Sequence, residues 1–184
     1  MKKFLVVTKM YLKIITLAVS ALIVSGCTTT TTNIADGQNL VNNEGLVVTK
    51  FHTQWQSQSG SYANYLEFYF KKEGCNAVDA SFVMSKAQDL KVVALPPGRY
   101  HWYKVLIGDY FMNLDENDGF TVKPGQITYI GDIYSSFGQQ QFSLSGEASV
   151  SNNSEMIKNE LQQSHPRLMS KYEFATQITN INSI

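Results

Sequence analysis

Along much of this chain apolar and polar side chains alternate with a period of two. Over 46–55 one face carries Val47, Thr49, Phe51, Thr53 and Trp55, and the other carries Lys50, His52 and Gln54. Over 65–71 Leu66, Phe68 and Phe70 form an apolar face opposite Tyr65, Glu67, Tyr69 and Lys71. Strict alternation of this kind predicts half-buried antiparallel strands. Two later segments share a local design. Leu95-Pro96-Pro97-Gly98-Arg99-Tyr100-His101-Trp102 and Val122-Lys123-Pro124-Gly125-Gln126-Ile127-Thr128-Tyr129 both read aliphatic, any, Pro-Gly, polar, apolar, polar, aromatic. Pro presets φ at the first central turn position and Gly supplies φ > 0 at the second, as a type II turn requires. Each unit therefore predicts a strand, a tight turn and a strand, pairing 90–95 with 100–107 and 120–122 with 127–134. Phe142, Leu144, Ala148 and Val150 predict a last strand, bulged or bent at Gly146.

The period changes near the C-terminus. Ser154 suits an N-cap, Glu155 sits near the positive end of a helix dipole, and Met156, Ile157, Glu160 and Leu161 follow helical spacing. His165-Pro166 then interrupts, because Pro disfavours helical backbone at the residue before it; beyond it a second short helix or an extended arm is expected. Six or seven short strands and a C-terminal helix predict a mainly β fold, an antiparallel β-sandwich with one appended element. The alternative is a small β-barrel.

The N-terminus does not belong to this pattern. Residues 1–26 hold Lys2, Lys3, Lys9 and Lys13 and no acidic residue, and 14–24 is apolar apart from Thr16 and Ser20. A basic start, a short apolar stretch and a small-residue exit are the parts of a secretory signal. Eleven helical residues reach only about 16 Å, short of the ~30 Å hydrocarbon core, so a permanent transmembrane helix is disfavoured. A start at Met10 would keep only Lys13 of the four lysines. The exit, Val24-Ser25-Gly26-Cys27, resembles the lipobox of bacterial lipoproteins. The resemblance implies cleavage between Gly26 and Cys27, a diacylglyceryl group on the Cys27 thiol and an acylated amine. Because Thr28 is not Asp, the sorting rule of Gram-negative lipoproteins implies the cell outer membrane. One acyl chain binds marginally and two or more anchor stably, so a lipidated Cys27 would tether the protein with no other membrane contact. The organisation expected is a signal over 1–26, a lipidated tether over 27–45, and one domain over 46–184 whose helical segment covers about 154–175.

Removing the signal changes the charge. Four of the 15 Lys and Arg precede Gly26 while all 15 acidic residues follow it, leaving 11 against 15 and a formal charge of −4 from Cys27 onward. An acidic domain without clustered Lys and Arg argues against nucleic acid as a partner. With Cys27 committed to lipid, Cys75 is expected to be a lone thiol.

The Pro-Pro-Gly-Arg-Tyr segment, Lys123-Pro124-Gly125-Gln126-Ile127-Thr128-Tyr129-Ile130-Gly131-Asp132-Ile133, and the closing Leu161-x-x-x-His165-Pro166-x-Leu168 resemble uncharacterised Gram-negative lipoproteins with a transthyretin- or immunoglobulin-like sandwich. The resemblance covers about 80–170 and implies a fold and an anchor but no activity. No Gly-x-Ser-x-Gly elbow, His-Glu-x-x-His, Cys-x-x-Cys or phosphate-cradling loop is present, so no catalytic residue, metal or cofactor is assigned. His52 and His101 on neighbouring strands would still need further ligands to hold a metal. Asp115-Glu116-Asn117-Asp118-Gly119 fails the EF-hand template and reads as a solvated acidic turn. Tyr62, Tyr65, Tyr69 and Tyr103 are expected to pack on cross-strand neighbours; the alternative is one shared exposed face, where Tyr offers a flat apolar body with a polar tip. The function expected is that of a membrane-anchored envelope protein with a non-enzymatic binding or structural role toward an envelope protein or glycan. One alternative is a carbohydrate- or peptidoglycan-binding module using Tyr65, Tyr69 and Tyr103; the other is a hydrolase with a nonstandard site.

Overall fold

The computed structural model describes residues 31, 33–41, 43–56, 66–75, 80–84, 88–140 and 143–182. The signal and lipobox, including Gly26 and Cys27, and also Tyr62 and Tyr65, lie outside them.

Ten strands form two packed sheets. The first holds β1 (Gly45–Gln56), β4 (Gln88–Leu95), β8 (Gln126–Gln140), β9 (Ser143–Ser151) and β10 (Glu173–Thr176) in the order β10-β8-β1-β4, with β9 also on β8. The second holds β2 (Leu66–Lys72), β3 (Ala80–Met84), β5 (Gly98–Ile107), β6 (Tyr110–Asn113) and β7 (Gly119–Val122) in the order β3-β2-β5-β6, with β7 also on β5. The sheets end at β4 and β3, which do not pair with each other among the described residues; lead-in residues meet them there, Asn33 bridged to Val93 and Thr31 hydrogen-bonded to Ser81 O, so the fold is a sandwich and not a closed barrel. Between the sheets lies an aromatic core of Phe51, Phe68, Phe70, Phe82, Trp102 and Phe120, joined by Val47, Ile133 and Phe137. Burial contributes about 1.5–3 kcal/mol for each large apolar side chain.

Both Pro-Gly units behave differently from the expected hairpins. β4 lies in the first sheet and β5 in the second; likewise β7 lies in the second and β8 in the first. Each turn is a corner between sheets, with Gly98 at φ +145° and Gly125 at φ +61°. Hairpins favour type I′ and II′ turns because types I and II splay the flanking strands. The splay of a Pro-Gly turn here sends the second strand to the other sheet.

The second sheet is antiparallel throughout, but in the first β8 runs parallel to both β1 and β10. Parallel neighbours need a long crossover, usually helical. Helix α1 (Ser154–Ser164) and helix α2 (Pro166–Lys171) lie on the path from β8 to β10, so the C-terminal helix is a crossover and not an appendage. Ile157, Leu161 and Leu168 cover Leu46, Val48, Val92, Ile127 and Tyr129 on the outer face of the first sheet. The expected N-cap shifts by one residue: Asn153 takes that position, and Ser154 is the first helical residue. The lead-in also joins this layer, with Ile34 buried and Asp36 Oδ1 accepting from the backbone N–H groups of Arg167 (2.9 Å) and Leu168 (3.1 Å) at the start of α2.

After β10 the chain crosses to the second sheet. Gln177 N donates to Tyr129 O and Thr179 N to Ile130 O. The Thr179 hydroxyl accepts from Trp102 Nε1 (2.9 Å) and donates to Gly119 O (2.7 Å), and Ile181 is buried in the aromatic core.

Candidate functional site

One irregularity in β8 builds the site. Val48 pairs with Tyr129 and Lys50 with Asp132, so Thr49 alone faces two residues, Ile130 and Gly131. This is a bulge, with Gly131 at φ +111° and the Thr49 hydroxyl donating to Gly131 O at 2.8 Å. An extra residue reverses the alternation of a strand. Before the bulge Ile127 and Tyr129 point to the helices and Ile130 points to the core; after it Ile133 and Phe137 point to the core. Asp132 and Tyr134 therefore share the helix-side face with Tyr129.

Asp132 is fully buried and has three partners. Tyr129 OH donates to Oδ1 at 2.7 Å, Asn153 Nδ2 donates to Oδ2 at 3.0 Å, and His52 Nε2 lies 3.0 Å from Oδ2. Asn153 at the start of α1 thus turns its side chain to the carboxylate and makes no side-chain cap of its helix; a carboxylate near a helix N-terminus is also favoured by the dipole. Burial, and then the hydrogen bond to Asp132, hold the Tyr129 phenol well above its ordinary range. The His52 ring stacks on Tyr134 with centroids 4.3 Å apart and planes 5° from parallel.

Beyond α1 the same face carries the exposed residues Gln88, Tyr134, Ser136, Glu147 and Ser149. Register places Gln88, His52, Tyr134 and Ser149 in one row across β4, β1, β8 and β9, and Ser136 beside Glu147 in the next. These side chains line a cleft of about 590 Å³, inside the roughly 300–1,000 Å³ span of small-ligand sites. The cleft offers hydroxyls, an amide, an imidazole, a phenol and a carboxylate.

Of the residues singled out from the sequence, His52 lines this cleft and the others fall elsewhere. Tyr69 and Tyr103 stand on the outer face of the second sheet, where Lys104 Nζ lies 4.7 Å from the centre of the Tyr69 ring and 5.2 Å from that of Tyr103, and Lys71 Nζ lies 3.1 Å from the latter. Both rings are half-buried, under ammonium groups. His52 and His101 lie in different sheets, so the two are not brought together. Asp115 Oδ1 accepts from Asn117 N and Nδ2, closing its own turn. Cys75 is disulfide-bonded, which corrects the expected lone thiol. Gly146 forms no bulge: β9 keeps register with β8 throughout, and a Cβ at Gly146 would meet the Phe137 ring at 2.4 Å. Asp132 and Tyr134 escaped the sequence reading, although a lone Gly inside a strand pattern, as in Ile130-Gly131-Asp132, is a signal for a bulge. No protein-family model, no curated protein and no solved structure matches this chain.

Proposed function

We propose that this chain is a membrane-anchored envelope lipoprotein with a non-enzymatic binding role. The observation that carries the binding role is the row Gln88–His52–Tyr134–Ser149, four polar side chains on four strands with no helix over them among the described residues. The address rests on Val24-Ser25-Gly26-Cys27 and on the resemblance to Gram-negative lipoproteins with a transthyretin- or immunoglobulin-like sandwich. Binding is favoured over chemistry because the candidate groups already hold one another. His52 Nε2 meets Asp132, the Ser135 hydroxyl meets Thr53 Oγ1 at 3.0 Å, and no hydrogen bond joins His52 to a serine among the described residues.

The anchor is tested by the mass of the mature N-terminus. The protein is expected to begin at a diacylglyceryl-modified, acylated Cys27 and to fractionate with the outer membrane, and Cys27→Ser should release it. A thioether and a disulfide exclude each other on one sulfur, and Cys27 is the only other cysteine in the sequence. An unmodified Cys27 linked to Cys75 would therefore defeat the anchor. The hydrolase reading draws on the Asp132–His52 pair beside a cleft. Nitrophenyl esters are expected to stay intact, and turnover abolished by His52→Ala would replace binding with catalysis.

A further inference from the structure

We infer that the cleft over Gln88, His52, Tyr134 and Ser149 is the binding site for a neutral, hydroxyl-rich saccharide. The inference rests on the binding reading above and names its ligand class. Charge comes first. Among the described residues no Lys or Arg lines the cleft, Glu147 stands on its wall, and Asp132 lies behind His52. A phosphate or a carboxylate ligand would meet the Glu147 carboxylate there. Polarity comes next. Apart from Ala148 and Tyr134 the lining residues are polar, yet slightly more of the exposed surface is carbon than polar atoms, a mixture that suits a ligand with both C–H and hydroxyl faces. An extended peptide binds by adding a strand to an unpaired edge. The central strands of this floor have no such edge: β1 is paired on both sides by β8 and β4, and β8 by β1 and β9.

What the cleft does offer matches a sugar. Hydroxyls of a sugar both donate and accept, and the Gln88 amide, the Glu147 carboxylate, and the hydroxyls of Ser136 and Ser149 supply the complementary groups. A pyranose also presents a face of C–H groups that seats on an aromatic ring, and Tyr134 is 40% exposed. That ring is fixed before any ligand arrives. His52 stacks beneath it, Asp132 holds His52, and Asn153 Nδ2 donates to the Tyr134 hydroxyl at 3.4 Å. A ring fixed in place loses little freedom on binding. Asp132 and His52 are thus positioning residues, and Tyr134 is the platform.

The full-length protein in detergent, labelled and passed over an array of neutral oligosaccharides, should retain a subset of them. Titration of the best retained member should then show a tenfold or greater loss of affinity in Tyr134→Ala. Ser149→Trp, at an exposed position, should abolish binding by filling the cleft with no core contact removed, and Tyr69→Ala on the other sheet should bind as wild type does. Thermal unfolding of each variant separates loss of the site from loss of the fold. An array that retains nothing overturns the inference, as does wild-type affinity in Ser149→Trp. A silent array with peptides retained in a Tyr134-dependent way overturns the saccharide and leaves the anchored binding role standing. An unlipidated Cys27 removes the anchor and leaves the array result untouched.

Discussion

Asp132 is an ionisable side chain with no contact with water, and such a group is tolerated only where donors surround it. Tyr129 is the shortest of its contacts and is itself buried. Removing the hydroxyl leaves the carboxylate one donor short, so Tyr129→Phe is expected to lower stability by about 1–3 kcal/mol at neutral pH. The pH dependence follows from the raised phenol. In the unfolded chain Tyr129 ionises near its ordinary value of 10.0, while in the fold burial and Asp132 keep it protonated to higher pH. Above that value the unfolded state binds fewer protons than the folded one, so stability is fully present below about pH 10 and falls as pH rises further. Thermal midpoints across the alkaline range should show this decline, and Tyr129→Phe should flatten part of it. Tyr100, raised in the same direction by burial and then by the charge of Glu44, supplies another part. An unchanged alkaline profile in Tyr129→Phe would show that this phenol titrates as it does in the unfolded chain.

At the scale of elements the decisive feature is the bulge in β8. A Cβ at Gly131 would stand 2.3 Å from Val150 Cγ1, and φ there is +111°. Clash and backbone strain together make Gly131→Ala costly, by about 2–4 kcal/mol in denaturant unfolding. Any Gly131→Ala protein that does fold should retain less ligand than wild type, since the bulge sets which way Asp132 and Tyr134 point. β2 was legible in the sequence because one face is apolar and the other polar, β1 because that alternation holds from Thr49 onward, and α1 because Ile157 and Leu161 repeat at helical spacing. The sheet assignment of β4, β5, β7 and β8 was not. A Pro-Gly turn looks the same in the chain whether its strands pair or part, and only the rest of the sandwich decides. The site was hidden for a related reason. His52 and Asp132 lie 80 residues apart, and their meeting depends on one parallel register and one extra residue.

For the whole molecule the last residues act as a strap between the sheets. Thr179 satisfies the indole of Trp102, Ile181 fills the aromatic core, and Asn182 O accepts from Asp115 N at 2.8 Å. A chain ending after Thr176 loses one buried aliphatic side chain and leaves a buried N–H without its acceptor. The expected cost is about 3–5 kcal/mol, read by denaturant unfolding with a red shift in tryptophan emission; an unchanged midpoint would mean the strap is dispensable. The two-sheet arrangement was legible from strand count and alternation. The strap was not, because 177–182 has neither strand nor helix periodicity and its value lies in what it covers. The Pro-Gly corners carry a last consequence, for the order of events in time. Because each corner sends the chain to the opposite sheet, neither Pro-Gly unit can close as a local hairpin and serve as an early nucleus. β1 must wait for β4 and then for β8, so loop-closure entropy is met before most contacts reward it, and the chain belongs among the slow folders. A chain built this way is expected to fold more slowly than one of equal length whose turns close local hairpins.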